Sequence, residues 1–353
     1  MIHFCLGHQQ NGIDVTILFL TDGPANEYAQ QLGIKTYLLP HLFKLSQPIK
    51  LLIAVLWIRN FILQHDFKII HATMAYGQIV TALATWLLPV KRVWYQHGPV
   101  AGTLDKLAIL TPVDQIFFNS NFLKELHNSI YKIPIPLDKE FIVPYGIVPP
   151  QRDEDKIQEI KKSYAPTQHL FLLAGRICAW KGYETAIQAL AQLQNISWKL
   201  LIVGSAFRAS DKQYEQHLKE LVNKLGLTTH ITFLPFQTDI YNYFAAADTF
   251  IHCSNVAEPF GLVVAEAMLQ ETFVIGSSQG GVTDILQDGK TGFSFNSIDP
   301  TSATEQLKKK ITQRLQLSPE IEQQLLHQAK KLISTRHNIA QAAAKLEYFY
   351  QRL

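Results

Sequence analysis

Short apolar runs alternate along this chain with longer segments of helical length. Six runs before residue 150 are typical of buried strands: VTILFL (15–20), KTYLLP (35–40), KIIHAT (68–73), RVWYQH (92–97), QIFFNS (115–120) and FIVPYG (141–146). Most of the segments between them are amphipathic or apolar and long enough for helices. Strands that alternate with helices in this way predict a parallel sheet covered on both faces.

The alternation is interrupted at residues 149–168, which begin with two prolines and are rich in charge. It resumes with LFLLAG (170–175), WKLLIVG (198–204), ITFLPF (231–236), TFIHCS (249–254) and TFVIGS (272–277), with helices expected near 182–194, near 211–225 and from about 261. We therefore predict an α/β protein with two doubly wound, Rossmann-like domains in tandem, residues 1–150 and 151–337. NIAQAAAKLEYFYQRL (338–353) has the pattern of a final amphipathic helix.

Composition excludes several classes of protein. The 353 residues are 47% hydrophobic and 17% charged, as in globular proteins, and the net charge of +3 carries no dense basic cluster, so nucleic acid is not an expected partner. Three scattered cysteines form neither a disulfide framework nor a CxxC pair, which fits a reducing compartment and a cytoplasmic location. The thirteen histidines show no recurrent metal-ligand spacing, so no metal site is predicted.

Two nucleotide motifs can be excluded from the sequence. GxGxxG follows no strand, which argues against a nicotinamide or flavin enzyme. DGKTG (288–292) is similar to the end of a phosphate-binding P-loop, but Asp284 stands where that loop requires glycine. We expect QDGKTGF (287–293) to be a turn between two short strands.

The most apolar stretch is LLIAVLWIRNFIL (51–63), which is too short to cross a bilayer and contains Arg59 and Asn60. One interpretation is a packed helix of an α/β domain. The alternative is a helix that touches a membrane surface, with Lys44, Lys50 and Arg59 beside it.

Two loops carry candidate chemistry. AGRICAWKG (174–182) follows a predicted strand and places Arg176 and Lys181 between Gly175 and Gly182, where two cations near a helix N-terminus suit a diphosphate. The alternative is a solvated arginine and lysine on a turn.

The second loop is AEPFGLVVAE (257–266), in which a helix is expected to begin near Leu262. Glu258 then lies in the loop before the helix and Glu266 about one turn inside it. The first backbone N–H groups, at Phe260, Gly261 and Leu262, are expected to point at a ligand. A phosphate-linked sugar suits the arrangement, with one carboxylate for sugar hydroxyls and the other for ribose hydroxyls. The alternative is a capping glutamate and a surface glutamate.

Over nearly its whole length the chain resembles the retaining glycosyltransferases of family 4 (glycosyl transferases group 1), which have the GT-B fold. GRICAWKG (175–182) is similar to the family's GR-x4-KG loop, and Glu258 to Glu266 is similar to its E-x7-E motif in the form EPFG. Further similar segments, in the family's order, are YQHG (95–98), DQIFFNS (114–120), VPYGI (143–147), LIVGS (201–205), LGLTTHITFLPF (225–236), AADTFIHCS (246–254) and GGVTDILQDGKTGF (280–293).

The resemblance implies a GT-B architecture of two domains facing a cleft, with the helix at 338–353 returning to the first domain. It implies that Arg176 and Lys181 bind the donor diphosphate and stabilise the departing nucleotide without a metal or other cofactor. Glu258 would bind the donor sugar and Glu266 the ribose. The base would be bordered by Gly204 and the backbone near Pro235 and Phe236, and His97 would lie near the sugar. The donor would be a UDP- or GDP-linked sugar.

Two features depart from the family. Tyr145 replaces the usual asparagine before the glycine of VPYGI, at a position expected to be structural. MIHFCLGHQQNG (1–12) has the pattern of the tail of the family's first helix, so we expect the first strand and the glycine-rich loop to be missing, with an open sheet edge in the first domain.

The leading interpretation is a retaining hexosyltransferase that uses a glycan, lipid-linked or small-molecule acceptor, with possible contact to a membrane periphery. A nucleotide-sugar epimerase or phosphorylase of the same overall fold is less consistent with the two loops together. The alternative of another class is a shortened, inactive protein that binds nucleotide-sugars.

Overall fold

The computed structural model describes residues 1–98, 100, 102–131, 137–148 and 152–353. Of the charged segment expected to separate the domains, residues 149–151 therefore lie outside the described residues. The chain divides into two compact units. Unit 1 comprises Met1–Val148 and Arg336–Leu353, and unit 2 comprises Pro149–Thr335.

Twelve strands lie in the described part of the chain: β1 (Thr16–Phe19), β2 (Lys35–Leu38), β3 (Ile69–Thr73), β4 (Lys91–Gln96), β5 (Gln115–Phe118), β6 (Glu140–Ile142), β7 (His169–Ala174), β8 (Trp198–Val203), β9 (Ile231–Leu234), β10 (Thr249–His252), β11 (Phe273–Ser277) and β12 (Phe293–Phe295). The first eleven confirm the predicted runs. The predicted turn at 287–293 is present, but a single bridge between Asp288 and Gly292 stands in place of the first of its two strands.

The helices in the same part of the chain are α1 (Ile2–Gln10), α2 (Pro24–Gln31), α3 (Pro48–Gln64), α4 (Met74–Ala84), α5 (Thr103–Ala108), α6 (Asn121–Ile130), α7 (Glu154–Tyr164), α8 (Tyr183–Leu190), α9 (Ala209–Lys224), α10 (Ile240–Ala246), α11 (Leu262–Leu269), α12 (Ala303–Leu315), α13 (Pro319–Arg336) and α14 (Ile339–Tyr350). Helices near 182–194 and 211–225, from about 261, and at 338–353 were expected, and all four are present as α8, α9, α11 and α14.

Unit 2 contains one parallel sheet of six strands in the order β12-β11-β10-β7-β8-β9. The strand order reverses between β10 and β7, which is the topological switch point of a doubly wound sheet. Leu173, Leu200 and Ile251 point from the sheet into a buried cluster with residues of α8, α9 and α12, such as Ile187 and Leu307. Helices α7, α10 and α11 pack together and against strands β7, β10 and β11. Ligands of such sheets bind beyond the carboxyl ends of the strands.

Unit 1 divides its strands between two parallel sheets, β1-β2 and β3-β4-β5-β6, and among the described residues no strand pairing joins them. The sheet of unit 1 is therefore interrupted. α1 confirms the helix predicted from residues 1–12, and it packs on α14. Phe4 of α1 and Leu346 of α14 share a buried cluster with Tyr95 and Phe117, and His8 Nδ1 lies 2.8 Å from Glu347 Oε1.

The apolar stretch 51–63 lies within α3. Ala54, Ile58 and Ile62 are buried in a cluster that includes Leu18 of β1 and Val80 of α4. The interpretation of this stretch as a packed helix is therefore confirmed for one of its faces. No helix in the described residues combines the length and the apolar character needed to cross a bilayer.

Candidate functional site

The two candidate loops meet because their strands are neighbours. β7 and β10 are hydrogen-bonded in parallel, with Phe171 beside Thr249, so their carboxyl ends reach the same edge of the sheet. The loop after β7 carries Arg176 and Lys181, and the loop after β10 carries Glu258. These segments lie 77 residues apart in the sequence, yet Lys181 Nζ donates a hydrogen bond of 2.8 Å to Glu258 Oε1.

Two further side chains bind the same carboxylate oxygen. His252 Nε2, at the end of β10, lies 2.9 Å from Glu258 Oε1, and the Ser254 hydroxyl donates to that oxygen at short range. Sequence analysis assigned no role to either residue. Polar side chains at the carboxyl end of a buried strand were the available signal. Among the described residues no hydrogen bond reaches Glu258 Oε2, so the protein holds this carboxylate through Oε1.

The environment of Glu258 keeps it ionised. Burial alone would raise the pKa of this carboxyl, but the hydrogen bond and charge of His252, together with Lys181, outweigh it and hold the pKa well below its usual range. The side chains of Lys181 and Glu258 are each only 12% exposed. An ion pair with three donors on one oxygen fixes the geometry of the carboxylate.

Arg176 lies beside Lys181 through a shared aromatic ring. The Trp180 ring is 4.6 Å from Lys181 Nζ and 5.7 Å from Arg176 Cζ, a range at which cations are attracted to an aromatic face. Asp211 Oδ2 lies 3.8 Å from Arg176 Nε, which has no hydrogen-bond partner in the described part of the chain. Asp211 therefore orients the guanidinium, while the Nε–H of Arg176 has no hydrogen bond to the described residues. Neither Trp180 nor Asp211 was singled out from the sequence.

Glycines allow the loops to pack so closely. Gly182 has φ +64°, in the left-handed region, and a Cβ there would lie 2.1 Å from Cys253 O. Gly281 donates its N–H to Glu258 O at 2.7 Å, and a Cβ on Gly281 would lie 2.0 Å from Pro259 O. The backbone around Glu258 is thus held on both sides.

Helix α11 begins as expected, after Gly261 in the left-handed region with φ +89°. Phe260 is buried and Leu262 is exposed. Glu266 lies one turn into the helix and accepts a hydrogen bond of 3.4 Å from the Tyr241 hydroxyl. It makes no hydrogen bond to Arg176, Lys181 or Glu258 in the described residues, so the structure brings Glu258 and Lys181 together and leaves Glu266 in a separate environment.

Burial raises the pKa of the Glu266 carboxyl to about 7, and the hydrogen bond from Tyr241 offsets part of that shift. Between pH 4.5 and 7 the folded protein therefore holds a proton that the unfolded chain has released. This contribution to stability is complete below about pH 4.5 and is lost as the pH rises through 7.

We expect Glu266→Gln, which is neutral at every pH, to remove this dependence. Relative to the variant, the wild type should lose about 3 kcal/mol of its free energy of unfolding between pH 4.5 and pH 8. Urea titrations of both proteins at the two pH values measure the difference. If the free energies of unfolding of the wild type and the variant differed by the same amount at both pH values, the raised pKa would not belong to Glu266.

A cavity of about 350 Å³ lies at the ends of β8 and β9, lined in part by Gly204, Ser205 and Pro235. Gly204 and Pro235 are residues predicted to border a base. A Cβ on Gly204 would lie 1.8 Å from Gly175 O, so the two predicted glycines pack backbone to backbone. Phe236 is 65% exposed, and its N–H donates to Ser205 Oγ at 3.1 Å.

His97 lies in unit 1, after β4. Its Nδ1 is 3.0 Å from the Tyr145 hydroxyl, to which Asn119 Nδ2 also donates at 3.1 Å. Burial, with a contribution from the charge of the N-terminal amine, lowers the pKa of His97 to about 3. The imidazole is therefore neutral at pH 7 and acts through hydrogen bonds. Tyr145, expected to be structural, is thus a hydrogen-bond partner of His97, and the ring of Tyr95 also lies beside the imidazole.

No group of three or more His, Cys, Asp or Glu side chains is arranged to hold a metal ion within the described ranges. The charged groups at the ends of β7 and β10 suit an anionic ligand that also carries hydroxyl groups.

Known proteins are similar to this chain over both of its units. The glycosyl transferases group 1 family matches residues 155–344, and glycosyltransferase family 4 matches residues 1–148. The lipopolysaccharide 1,2-N-acetylglucosaminetransferase of Salmonella typhimurium is 26% identical over 241 residues, 66% of this chain and 61% of that protein. A D-inositol 3-phosphate glycosyltransferase of Stackebrandtia nassauensis is 25% identical over 223 residues, 61% of this chain and 50% of that protein. The chain thus spans about half to three fifths of the length of these curated relatives.

Solved structures show the same fold. Anabaena Alr3699/HepE, in complex with UDP and glucose, has a TM-score of 0.86 at 19% identity, over 100% of this chain and 95% of that one. A glycosyltransferase from Rickettsia africae has a TM-score of 0.87 at 20% identity, over 99% and 93%. The fold is therefore GT-B with two Rossmann-like domains, and the chain belongs to the family of glycosyl transferases group 1.

Proposed function

We propose that this protein transfers a hexose-type sugar from a nucleotide-sugar to a hydroxyl acceptor, with retention of configuration at the sugar. The observation that carries the proposal is the ion pair of Lys181 with Glu258. It joins the two sequence motifs at the carboxyl ends of β7 and β10, where doubly wound sheets bind their ligands.

The charged residues suit different parts of a sugar diphosphate. Lys181 and Arg176 supply positive charge for the diphosphate, which neutralises the departing nucleotide without a metal ion or other cofactor. The Glu258 oxygen that receives no hydrogen bond from the described protein is available to a donor sugar hydroxyl. Glu266, in its ionised form, can accept hydrogen bonds from the ribose hydroxyls. Gly204, Pro235 and Phe236 border the base.

The step balances without an enzyme nucleophile. The bond from the anomeric carbon to the diphosphate oxygen breaks, and the acceptor oxygen attacks the same carbon from the same face. The acceptor proton passes to the diphosphate oxygen that leaves. His97 is neutral at pH 7 and would leave the charge balance of this step unchanged.

The donor is proposed to be a UDP- or GDP-linked sugar, and UDP is the first to test because Anabaena HepE binds it on a similar fold. The acceptor is proposed to be a glycan, a lipid-linked sugar or a small molecule. Three buried free cysteines fit a reducing compartment, so we place the reaction in the cytoplasm.

Calorimetric titration of the full chain with UDP, GDP and their sugars tests the proposal. We expect one nucleotide series to bind, and Arg176→Ala and Glu266→Ala each to weaken binding by about tenfold or more, because each removes a charged hydrogen-bond partner. Lys290→Ala, an exposed cation on the turn before β12, is the matched control and should bind like the wild type.

Thermal melts of the same samples separate loss of binding from loss of fold. A folded protein that binds no nucleotide would contradict the proposal. Binding of a nucleotide-sugar without hydrolysis or transfer to any acceptor would favour the alternative, an inactive nucleotide-sugar-binding protein.

A further inference from the structure

One side of α3 exposes large apolar residues to solvent. Ile49, Leu52, Ile53, Leu56 and Leu63 are 75%, 57%, 49%, 55% and 57% exposed. Their spacing places them on a single face of the helix. The opposite face is buried in unit 1, so α3 is apolar on both sides. A helix of this kind is normally buried all round.

The exposed face continues onto the end of α4. Arg59 Nη1 donates to Ala84 O at 3.3 Å and to Trp86 O at 2.6 Å, which ties α3 to the turn after α4. In that turn Trp86 is 58% and Leu87 is 86% exposed. We call the five exposed residues of α3 together with Trp86 and Leu87 the apolar face. Scattered exposed apolar residues are ordinary, but a continuous group of this size marks an interaction surface.

Basic residues outnumber acidic ones in the part of the sequence that contains the apolar face, although Arg92 in that part is paired with Asp114. Residues 28–104 contain seven lysines and arginines and one acidic residue, Asp66, although the whole chain carries a net charge of only +3. Asp66 is itself paired with Lys68 at 2.7 Å. Lys44 and Lys50, on either side of the start of α3, are both exposed. A surface that is apolar and basic at once is complementary to a layer with an apolar interior and an anionic surface.

We propose that the apolar face rests on the surface of an anionic membrane, with α3 lying along the interface. Trp86 suits the level of the headgroups, where indole rings are enriched. With 17 residues, Arg59 within it and one face packed in unit 1, α3 lies on a bilayer and does not cross it.

Vesicle co-sedimentation of the full chain tests the proposal. The probes are phosphatidylcholine vesicles with and without a third of phosphatidylglycerol. We expect the wild type to bind the anionic vesicles at least about tenfold more tightly, and 0.5 M NaCl to weaken that binding. The variant Leu52→Gln/Leu56→Gln/Trp86→Gln should lose about tenfold or more of the affinity. Lys44→Gln/Lys50→Gln should lose mainly the preference for anionic lipid.

The matched control is Leu225→Gln/Ile298→Gln/Ile321→Gln, which removes three exposed apolar side chains from unit 2 and should bind vesicles like the wild type. Wild-type protein that binds neither vesicle, or a triple α3/α4 variant that binds as well as the wild type, would overturn the proposal. So would light scattering that shows a wild-type dimer dissociated by the same variant. Nucleotide titrations report on unit 2, so failure of the proposed function would be seen separately.

Discussion

Lys181→Ala is expected to lower kcat/KM for sugar transfer by about 10²–10³-fold, the loss typical of removing one preorganised donor from developing negative charge. Lys181 has two tasks at once. In the proposed function its ammonium supplies charge for the diphosphate, and its 2.8 Å bond to Glu258 fixes the carboxylate proposed to bind the donor sugar. The variant should also lose about 3 kcal/mol of stability, because it leaves a mostly buried carboxylate without its cation.

A second substitution separates these effects. Lys181→Ala/Glu258→Gln no longer contains the uncompensated carboxylate, so its free energy of unfolding should recover most of the loss while activity stays low. Lys290→Ala again serves as the control for removal of a cation. Wild-type activity in Lys181→Ala would exclude this lysine from the diphosphate site. An unchanged free energy of unfolding would show that the ion pair contributes little to the fold.

Gly182→Ala is expected to destabilise the protein by about 3 kcal/mol, through left-handed backbone strain and overpacking. The new Cβ would lie 2.1 Å from Cys253 O, a backbone atom between His252 and Ser254. Relief of this overlap must displace the end of β10 and therefore two of the donors to Glu258. The melting temperature should fall by about 2–4 °C for each kcal/mol in a domain of this size, and transfer activity should fall with it.

Gly226→Ala is the matched control for Gly182→Ala. Gly226 has nearly the same backbone conformation, with φ +69°, but no atom lies within 4 Å of the position of its Cβ. It should cost only about 1 kcal/mol, the strain of the left-handed region alone. The difference between the melting temperatures of the two variants measures the cost of the overlap between the new Cβ at position 182 and Cys253 O. Equal melting temperatures would show that the approach of Gly182 to Cys253 is not tight in solution.

The strands of this protein could be predicted because buried parallel strands are continuous apolar runs. FLLA within β7 is recognisable without any partner because that strand is buried on both faces, and the partly buried TILF at β1 is recognisable as an apolar run. The separation of the β1-β2 sheet from the β3–β6 sheet could not be predicted from apolar runs, because such a run does not indicate which strand it pairs with. The single bridge at Asp288 stands where a short strand was predicted, and the sequence pattern does not distinguish a bridge from a strand of that length.

The candidate site was predicted in part. Glu258 and Lys181 were found because they lie in loops at strand ends, but the bond between them depends on β7 and β10 being neighbours, which is a property of the sheet order. His252 was hidden inside an apolar run, and its role depends on its position at the last residue of β10. The separation of Glu266 from the ion pair likewise follows from the packing of α11 beside Tyr241. That packing is not local in sequence.

The discontinuity of unit 1 has a consequence during synthesis. A ribosome completes all of unit 2 between the main part of unit 1 and α14, an interval of about 10–40 s at ordinary elongation rates. During that time Phe4, Tyr95 and Phe117 lack the cover that Leu346 and Phe349 later provide. The nascent chain therefore carries an incomplete second domain while the first still exposes part of its core. Its yield in a cell should depend on chaperones that shield apolar surface until the last helix emerges.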